Sequence, residues 1–296
     1  MTRCFRSLTP LVALAAAAAP LAAQAPALPP LVSAAWLADH LQDPRLVLLQ
    51  VGRDSSYARE HIAGSRFVRL RDLGPREPDG LALEMPAPDS LEAGLERLGI
   101  SNDSRVVVVF SDEWITASTR VLYTLAYAGL GDHAALLDGG LPAWKRAGGP
   151  VTDRVPPPGR GRVQVRIAPS LIVDYAWVEA HERAPHVRLV DARSGRFYSG
   201  PAHEGMPGGH IPGAVSIALT SVADDSVLML APADLAQRFR EAGVEPGDTV
   251  VAYCHIGQQA TLVLFGARLT GHPVRLYDGS MEDWGNRKLP TEGVVQ

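Results

Sequence analysis

Cysteine is the scarcest reactive residue of this 296-residue chain, present only as Cys4 and Cys254. Cys254 lies in Thr249–Ala260, which reads TVVAYCHIGQQA. A short apolar run of β-forming residues ends at Tyr253, and the cysteine follows directly. After Gly257, the stretch Ala260–Leu269 has the composition of a helix. The order strand, cysteine, loop, helix brings loop amides and a helix N-terminus to the sulfur. That setting favours a thiolate, so Cys254 is a candidate nucleophile. His255 can act as a partial cation near neutral pH, and Gln258 and Gln259 can donate hydrogen bonds to a bound anion though they carry no charge. The bland alternative is an inert core thiol. A strand end followed by a loop glycine speaks for catalysis.

Other chemistries fit less well. A cysteine-loop phosphatase needs an arginine six residues after the cysteine, and that position is Ala260. A zinc site needs a spaced ligand set, which a lone cysteine beside His255 does not supply, so no metal is expected. No cofactor is implied either. The net charge is −4 and no basic run stands out, which argues against nucleic-acid binding.

The elements that would position Cys254 follow an α/β pattern. The N-terminus has a secretory outline: Arg3 and Arg6, then apolar Leu8–Ala23, then Ala23-Gln24-Ala25. Residues 1–25 are expected to be a signal peptide, interrupted by Pro10 and Pro20 and too short to span a bilayer. Removing them takes Cys4 away and leaves Cys254 as the sole thiol. No stable membrane insertion is expected, and a periplasmic location is. A single thiol in an oxidising compartment asks for a reason. Ser33–Leu41 reads as a helix capped by Ser33, Leu46–Val51 as a buried strand, Ser90–Leu98 as a helix, and Arg105–Phe110 as a second buried strand. Thr116–Gly129 reads as a helix and Ala135–Leu137 as a strand, followed by the turn Asp138–Trp144. Alternating strands and helices imply a mainly parallel sheet.

Arg154–Arg162 (RVPPPGRGR) breaks the pattern as an exposed linker. Beyond it the landmarks return in order. Val187–Ala192 matches Leu46–Val51, and His210-Ile-Pro-Gly matches His61-Ile-Ala-Gly. Thr249–Tyr253 matches Arg105–Phe110, and Asp278…Trp284 matches Asp138…Trp144. The chain therefore divides into a first copy at 30–151, a linker at 152–168 and a second copy at 169–296. The comparison sets Gln50 opposite Asp191, Ser111 opposite Cys254 and Trp114 opposite Gly257. On this reading only the second copy keeps a thiol. His61 and His210 recur in both copies and read as turn-fixing, and Trp144 and Trp284 as packing. Asp191 and Arg193 read as an ion pair beneath the cysteine loop.

The paired copies, both His-Ile-x-Gly turns, Val190-Asp-Ala-Arg193, Gly195-Arg-Phe197 and the Tyr-Asp-Gly-Ser…Trp-Gly ending resemble a tandem-domain rhodanese over nearly the whole chain after residue 25. The resemblance implies two rhodanese-like domains, the second catalytic, and a sulfurtransferase that works through a Cys254 persulfide. It implies thiosulfate or 3-mercaptopyruvate as donor and cyanide or a thiol as acceptor. The absence of a serine after the cysteine favours thiosulfate. It also implies Arg196 as the substrate arginine, whose fork suits a sulfonate or carboxylate. The backbone of Ile256, Gly257 and Ala260 would help hold the persulfide. A non-catalytic persulfide carrier or a redox-sensing module is the competing class.

Overall fold

A computed structural model describes residues 27–73, 80–112, 115–203 and 205–294. The expected signal peptide and Trp114 lie outside these residues.

The first copy contributes the parallel strands β1 (Leu31–Val32), β2 (Leu46–Val51), β4 (Arg66–Phe67), β5 (Arg105–Phe110) and β6 (Ala134–Leu137). A small antiparallel pair, β3 (His61–Ile62) with β7 (Val151–Thr152), stands apart. The second copy contributes β8 (Ile172–Val173), β9 (Val187–Asp191), β10 (Val215–Ser216), β11 (Thr249–Tyr253) and β12 (Val274–Tyr277). The five-stranded sheets run β1-β6-β5-β2-β4 and β8-β12-β11-β9-β10, all neighbours parallel. The two orders are the same order, so the sequence repeat is a structural repeat. The central strands are uninterrupted apolar runs because helices cover both faces of each sheet.

The tethers repeat as well. Trp144 and Trp284 are buried, and their indole N–H groups donate to Pro150 O (3.0 Å) and Pro290 O (2.8 Å). His61 stacks on Tyr57 and His210 on Tyr198, each ring nitrogen Nδ1 bonding the carbonyl of the tyrosine beneath. Ser33 and Asp174 cap the opening helices of the two copies through Trp36 N–H and Trp177 N–H.

The copies share one core. The helices Ile115–Leu125 and Ala260–Leu269 are buried against each other, and apolar side chains of both copies join a single cluster. Thr119 Oγ1 and Thr261 Oγ1 meet at 2.9 Å in this seam. Each copy also reaches over the other's Asp-Gly turn. Met85 N–H donates to Asp278 Oδ2 at 2.7 Å, and Met229 N–H donates to Asp138 Oδ1 at 3.0 Å.

Some local expectations differ from the structure. The helix expected over Thr116–Gly129 ends at Leu125, and a wider turn over Ala126–Leu130 follows, with Gly129 at φ +85°. The short helix Asp54–Arg59 before the His61 turn has too few residues to show a period. The linker holds no helix or strand past Thr152, but it is bound along the first copy. Gly161 N–H donates to Glu96 O, Arg166 N–H to Ala128 O, and Val163 is buried.

Candidate active site

Cys254 follows β11 directly and is fully buried. Its N–H donates to Ser280 Oγ at 3.1 Å, and the Ser280 hydroxyl donates to Tyr277 O at 3.0 Å. Its carbonyl accepts from Met281 N–H at 3.1 Å, and the next carbonyl, His255 O, accepts from Glu282 N–H at 3.0 Å. The Ser280 turn therefore fixes the cysteine backbone on both sides.

The loop beyond it is held from outside. Gly257 sits at φ +80°, with no room for a side chain: a Cβ there would lie 2.6 Å from Asp278 O. Gly257 O accepts from Arg120 Nη1 of the first copy at 3.1 Å. The same nitrogen donates to Asp278 Oδ1 at 2.6 Å, and the Arg120 side chain is buried. A trans peptide points its N–H opposite its C=O. With the carbonyls of Cys254, His255 and Gly257 bonded outward, the amides of His255, Ile256 and Gln258 face the other way. Among the described residues, the amides of Ile256 to Ala260 donate to no protein acceptor. The Ala260–Leu269 helix opens at this point with no side-chain cap, adding its own positive end to the same face.

The predicted side chains take different places. His255 lies with Nδ1 3.0 Å from Met206 Sδ, and its ring meets Phe197 edge-on at 4.6 Å between centroids. Arg196 is exposed on the short helix Gly195–Tyr198, its guanidinium 4.7 Å from the Phe197 ring centre. Arg196 thus neighbours the aromatic side chain that touches His255. Gln258 turns to the domain seam, where Nε2 donates to Thr116 Oγ1 at 3.0 Å. Gln259 Oε1 is buried with no hydrogen-bond partner. Ile256 and Gln258 border a cavity of about 800 Å³ between the copies, whose other walls include Arg53, Asp54, Arg69 and Arg120. Cys254 does not line it.

Below the loop, Asp191 and Arg193 form a buried bidentate pair, with Nε to Oδ1 at 3.0 Å and Nη2 to Oδ2 at 2.6 Å. Nη2 also donates to Gly209 O at 2.7 Å, next to the His210 turn. Burial works against the Arg193 charge, but the Asp191 carboxylate outweighs it and raises the guanidinium pKa above its ordinary value.

One alignment from the sequence is corrected. Gln50 does stand opposite Asp191: Gln50 pairs with Val109 and Phe67, and Asp191 pairs with Tyr253 and Ser216. The same ladders make Arg105 equivalent to Thr249, so the counterpart of Cys254 is Phe110, not Ser111. The turns agree. Gly140 and Ser280 both have positive φ, +54° and +53°. Where Ser280 bonds the cysteine backbone, a Cβ on Gly140 would lie 2.7 Å from Phe110 Cδ2. Ser280 and Arg120 escaped the sequence reading. The contrast between Asp-Gly-Gly and Asp-Gly-Ser in the two repeats was the available signal for Ser280. Arg120 left none.

Among the described residues no group of three or more His, Cys, Asp or Glu side chains could hold a metal, and no helix is long and apolar enough to cross a membrane.

Comparison with known proteins agrees with the repeat. The family model described as a rhodanese-like domain matches twice, at residues 33–147 and 174–287. A probable 3-mercaptopyruvate sulfurtransferase of Pseudomonas aeruginosa is 35% identical over 268 residues, covering 86% of this chain and 94% of the relative. A thiosulfate sulfurtransferase of Azotobacter vinelandii is 30% identical, covering 88% of this chain and 95% of the relative. The crystal structure of SseA from Escherichia coli, described as a 3-mercaptopyruvate sulfotransferase of rhodanese fold, superposes with a TM-score of 0.75 at 24% identity. That match covers 85% of this chain and 98% of SseA.

Proposed function

Since the chain belongs to the rhodanese family and is a sulfurtransferase, we infer that it takes a sulfur atom from thiosulfate or 3-mercaptopyruvate onto Cys254 and passes it to cyanide or a thiol. The observation that carries this reading is the uncommitted row of amides, Ile256 to Ala260, in the loop that follows the buried Cys254. The Cys254 thiolate attacks the outer sulfur of thiosulfate, the S–S bond breaks, and sulfite leaves with the electron pair. With 3-mercaptopyruvate the thiolate attacks the thiol sulfur, the C–S bond breaks, and the enolate of pyruvate leaves and is protonated. Either way a Cys–S–S⁻ persulfide results. Its terminal anion suits the loop amides and the helix end. An acceptor such as cyanide then attacks that terminal sulfur and regenerates the thiolate. The two half-reactions imply ping-pong kinetics.

Arg196 is the side chain assigned to the donor's sulfonate or carboxylate, since it is exposed beside Phe197 and His255. His255 adds a polar wall. Gln258 keeps one amide hydrogen beyond its bond to Thr116, and Gln259 Oε1 remains an unused acceptor. Residues 1–25 are read as a secretory signal that delivers the enzyme to the periplasm, which N-terminal sequencing of the exported protein checks. The domains are taken as 30–151 and 169–296. Steady-state assays with both donors, on wild type and Cys254→Ala, test the function. Turnover that depends on Cys254 supports an enzyme. No turnover with either donor contradicts it and favours a carrier.

A further inference from the structure

We propose that Arg120, from the copy that lacks the thiol, is a positioning residue for the reaction: it turns the Gly257–Gln258 peptide so that the Gln258 N–H faces the sulfur-binding side of the loop. The inference rests on the sulfurtransferase reading of Cys254 and extends it to a residue in the other domain.

Where a loop carbonyl is held outward, the amide that follows it points inward. Cys254 O and His255 O are held by amides of their own domain, from Met281 and Glu282. Gly257 O has no such partner in its own domain among the described residues. It is held by Arg120 Nη1 at 3.1 Å, across the seam. Gly257 is also the residue whose backbone can most easily turn over, because it lacks a side chain and sits at φ +80°. An unheld Gly257–Gln258 peptide could flip with little steric cost and present a carbonyl where an anion must sit. Arg120 is itself fixed. Its Nη1 donates to Asp278 Oδ1 at 2.6 Å, and Asp278 is anchored on its far side by Met85 N–H. Three more bonds cross the seam beside this loop: Gln258 Nε2 to Thr116 Oγ1, Thr119 Oγ1 with Thr261 Oγ1, and Thr261 Oγ1 to Thr116 O. The first domain therefore supplies an external brace at a loop peptide that the second domain leaves unbraced.

Removing Arg120 alone would strand the Asp278 carboxylate, so the informative variant is Arg120→Met combined with Asp278→Asn, compared with Asp278→Asn alone. Arg120→Lys is the conservative partner, keeping the charge beside Asp278. Two readouts apply to the full-length protein. The first is the rate of iodoacetamide alkylation at Cys254, located by peptide mass spectrometry. It reports the thiolate whether or not sulfur is transferred. The second is single-turnover release of sulfite from thiosulfate. Loss of one hydrogen bond aimed at an anion should slow both by about tenfold at pH 7 in the double variant. The alkylation rates of the variants should converge at high pH, where the thiol is ionised in all of them. Arg120→Lys should recover part of the rate. Equal alkylation and sulfite release in the double variant and Asp278→Asn, with only a lower melting temperature, would reduce Arg120 to domain glue and overturn the proposal. If the double variant fails to fold, Arg120→Lys decides: rates equal to wild type contradict positioning, and slowed alkylation at an unchanged melting temperature supports it. If alkylation responds to Arg120 but wild type transfers sulfur from neither thiosulfate nor 3-mercaptopyruvate, the positioning role stands and the sulfur-transfer reading falls.

Discussion

The two copies share a strand order, a tryptophan tether and a stacked histidine turn, yet they treat the end of the central strand in opposite ways. In the second copy it carries Cys254, a serine turn at Ser280 and the buried Asp191–Arg193 pair beneath. In the first copy the equivalent positions are Phe110, Gly140, Gln50 and Gly52. An aromatic ring fills the place of the thiol, a glycine makes room for it, and the charged pair is gone. A buried ion pair costs desolvation that apolar packing avoids. Its presence only where the thiol is kept ties it to the site rather than to the fold. The residual polar group in the first copy shows the same history: Gln50 Nε2 is buried without a partner.

The comparison breaks most sharply at the strand end. Cys254→Ser should reduce sulfur transfer to background in a donor–cyanide assay. Phe110→Ala should lower stability by about 3–5 kcal/mol while leaving specific activity of the folded fraction intact. Grafting Phe110→Cys with Gly140→Ser should load no second sulfur, because the braced loop and the ion pair are missing. A second loaded sulfur would show that the frame alone suffices.

The ion pair gives the next effect. Arg193→Met leaves Asp191 charged and buried, and should cost about 3–5 kcal/mol in denaturant unfolding. Gln50→Leu in the first copy should be close to neutral, since it removes an unpaired buried amide nitrogen together with a weak 3.5 Å bond from Ser65 Oγ to Gln50 Oε1. Equal losses in the two copies would contradict the assignment.

A smaller change converts one turn into the other. Ser280→Gly removes the acceptor for Cys254 N–H and should slow persulfide formation by about tenfold. Stability should fall by about 1–3 kcal/mol, because Cys254 N–H and Tyr277 O lose a buried partner, a loss eased by glycine's tolerance of the positive φ here.

The smallest effect concerns the paired aspartates. Asp278 has Arg120, whereas Asp138 has no basic partner among the described residues, and burial raises its pKa above the ordinary aspartate value of 3.8. A raised carboxyl pKa means that the unfolded chain loses this proton first as pH rises. Stability should therefore fall as pH climbs from 3.8 through the raised value, and Asp138→Asn should flatten that slope. Urea midpoints measured across this window check the sign.

Much of this contrast was legible in the residues. The strands Leu46–Val51, Arg105–Phe110 and Thr249–Tyr253 and the helix Ala260–Leu269 fall where the apolar runs place them, since strands buried on both faces need continuous apolar sequence. The two-residue strands have no period to detect. The pairing of Cys254 with Ser111 is off by one position because the two runs are matched at their ends, Tyr253 with Phe110, although the first run is one residue longer. The ladder register counts from Arg105 and Thr249 instead, and it places a phenylalanine there. Arg120 was invisible for a different reason. It acts 137 residues away on a backbone carbonyl, and a helical arginine carries no mark of such a partner.

The central claim is that Cys254 alone of the chain takes up sulfur. Its most direct test is mass spectrometry of the protein after anaerobic incubation with thiosulfate or 3-mercaptopyruvate, with peptide mapping. The account predicts one added sulfur atom, located on Cys254, discharged by cyanide and absent from Cys254→Ser. No added sulfur with either donor, or sulfur retained in Cys254→Ser, would contradict it.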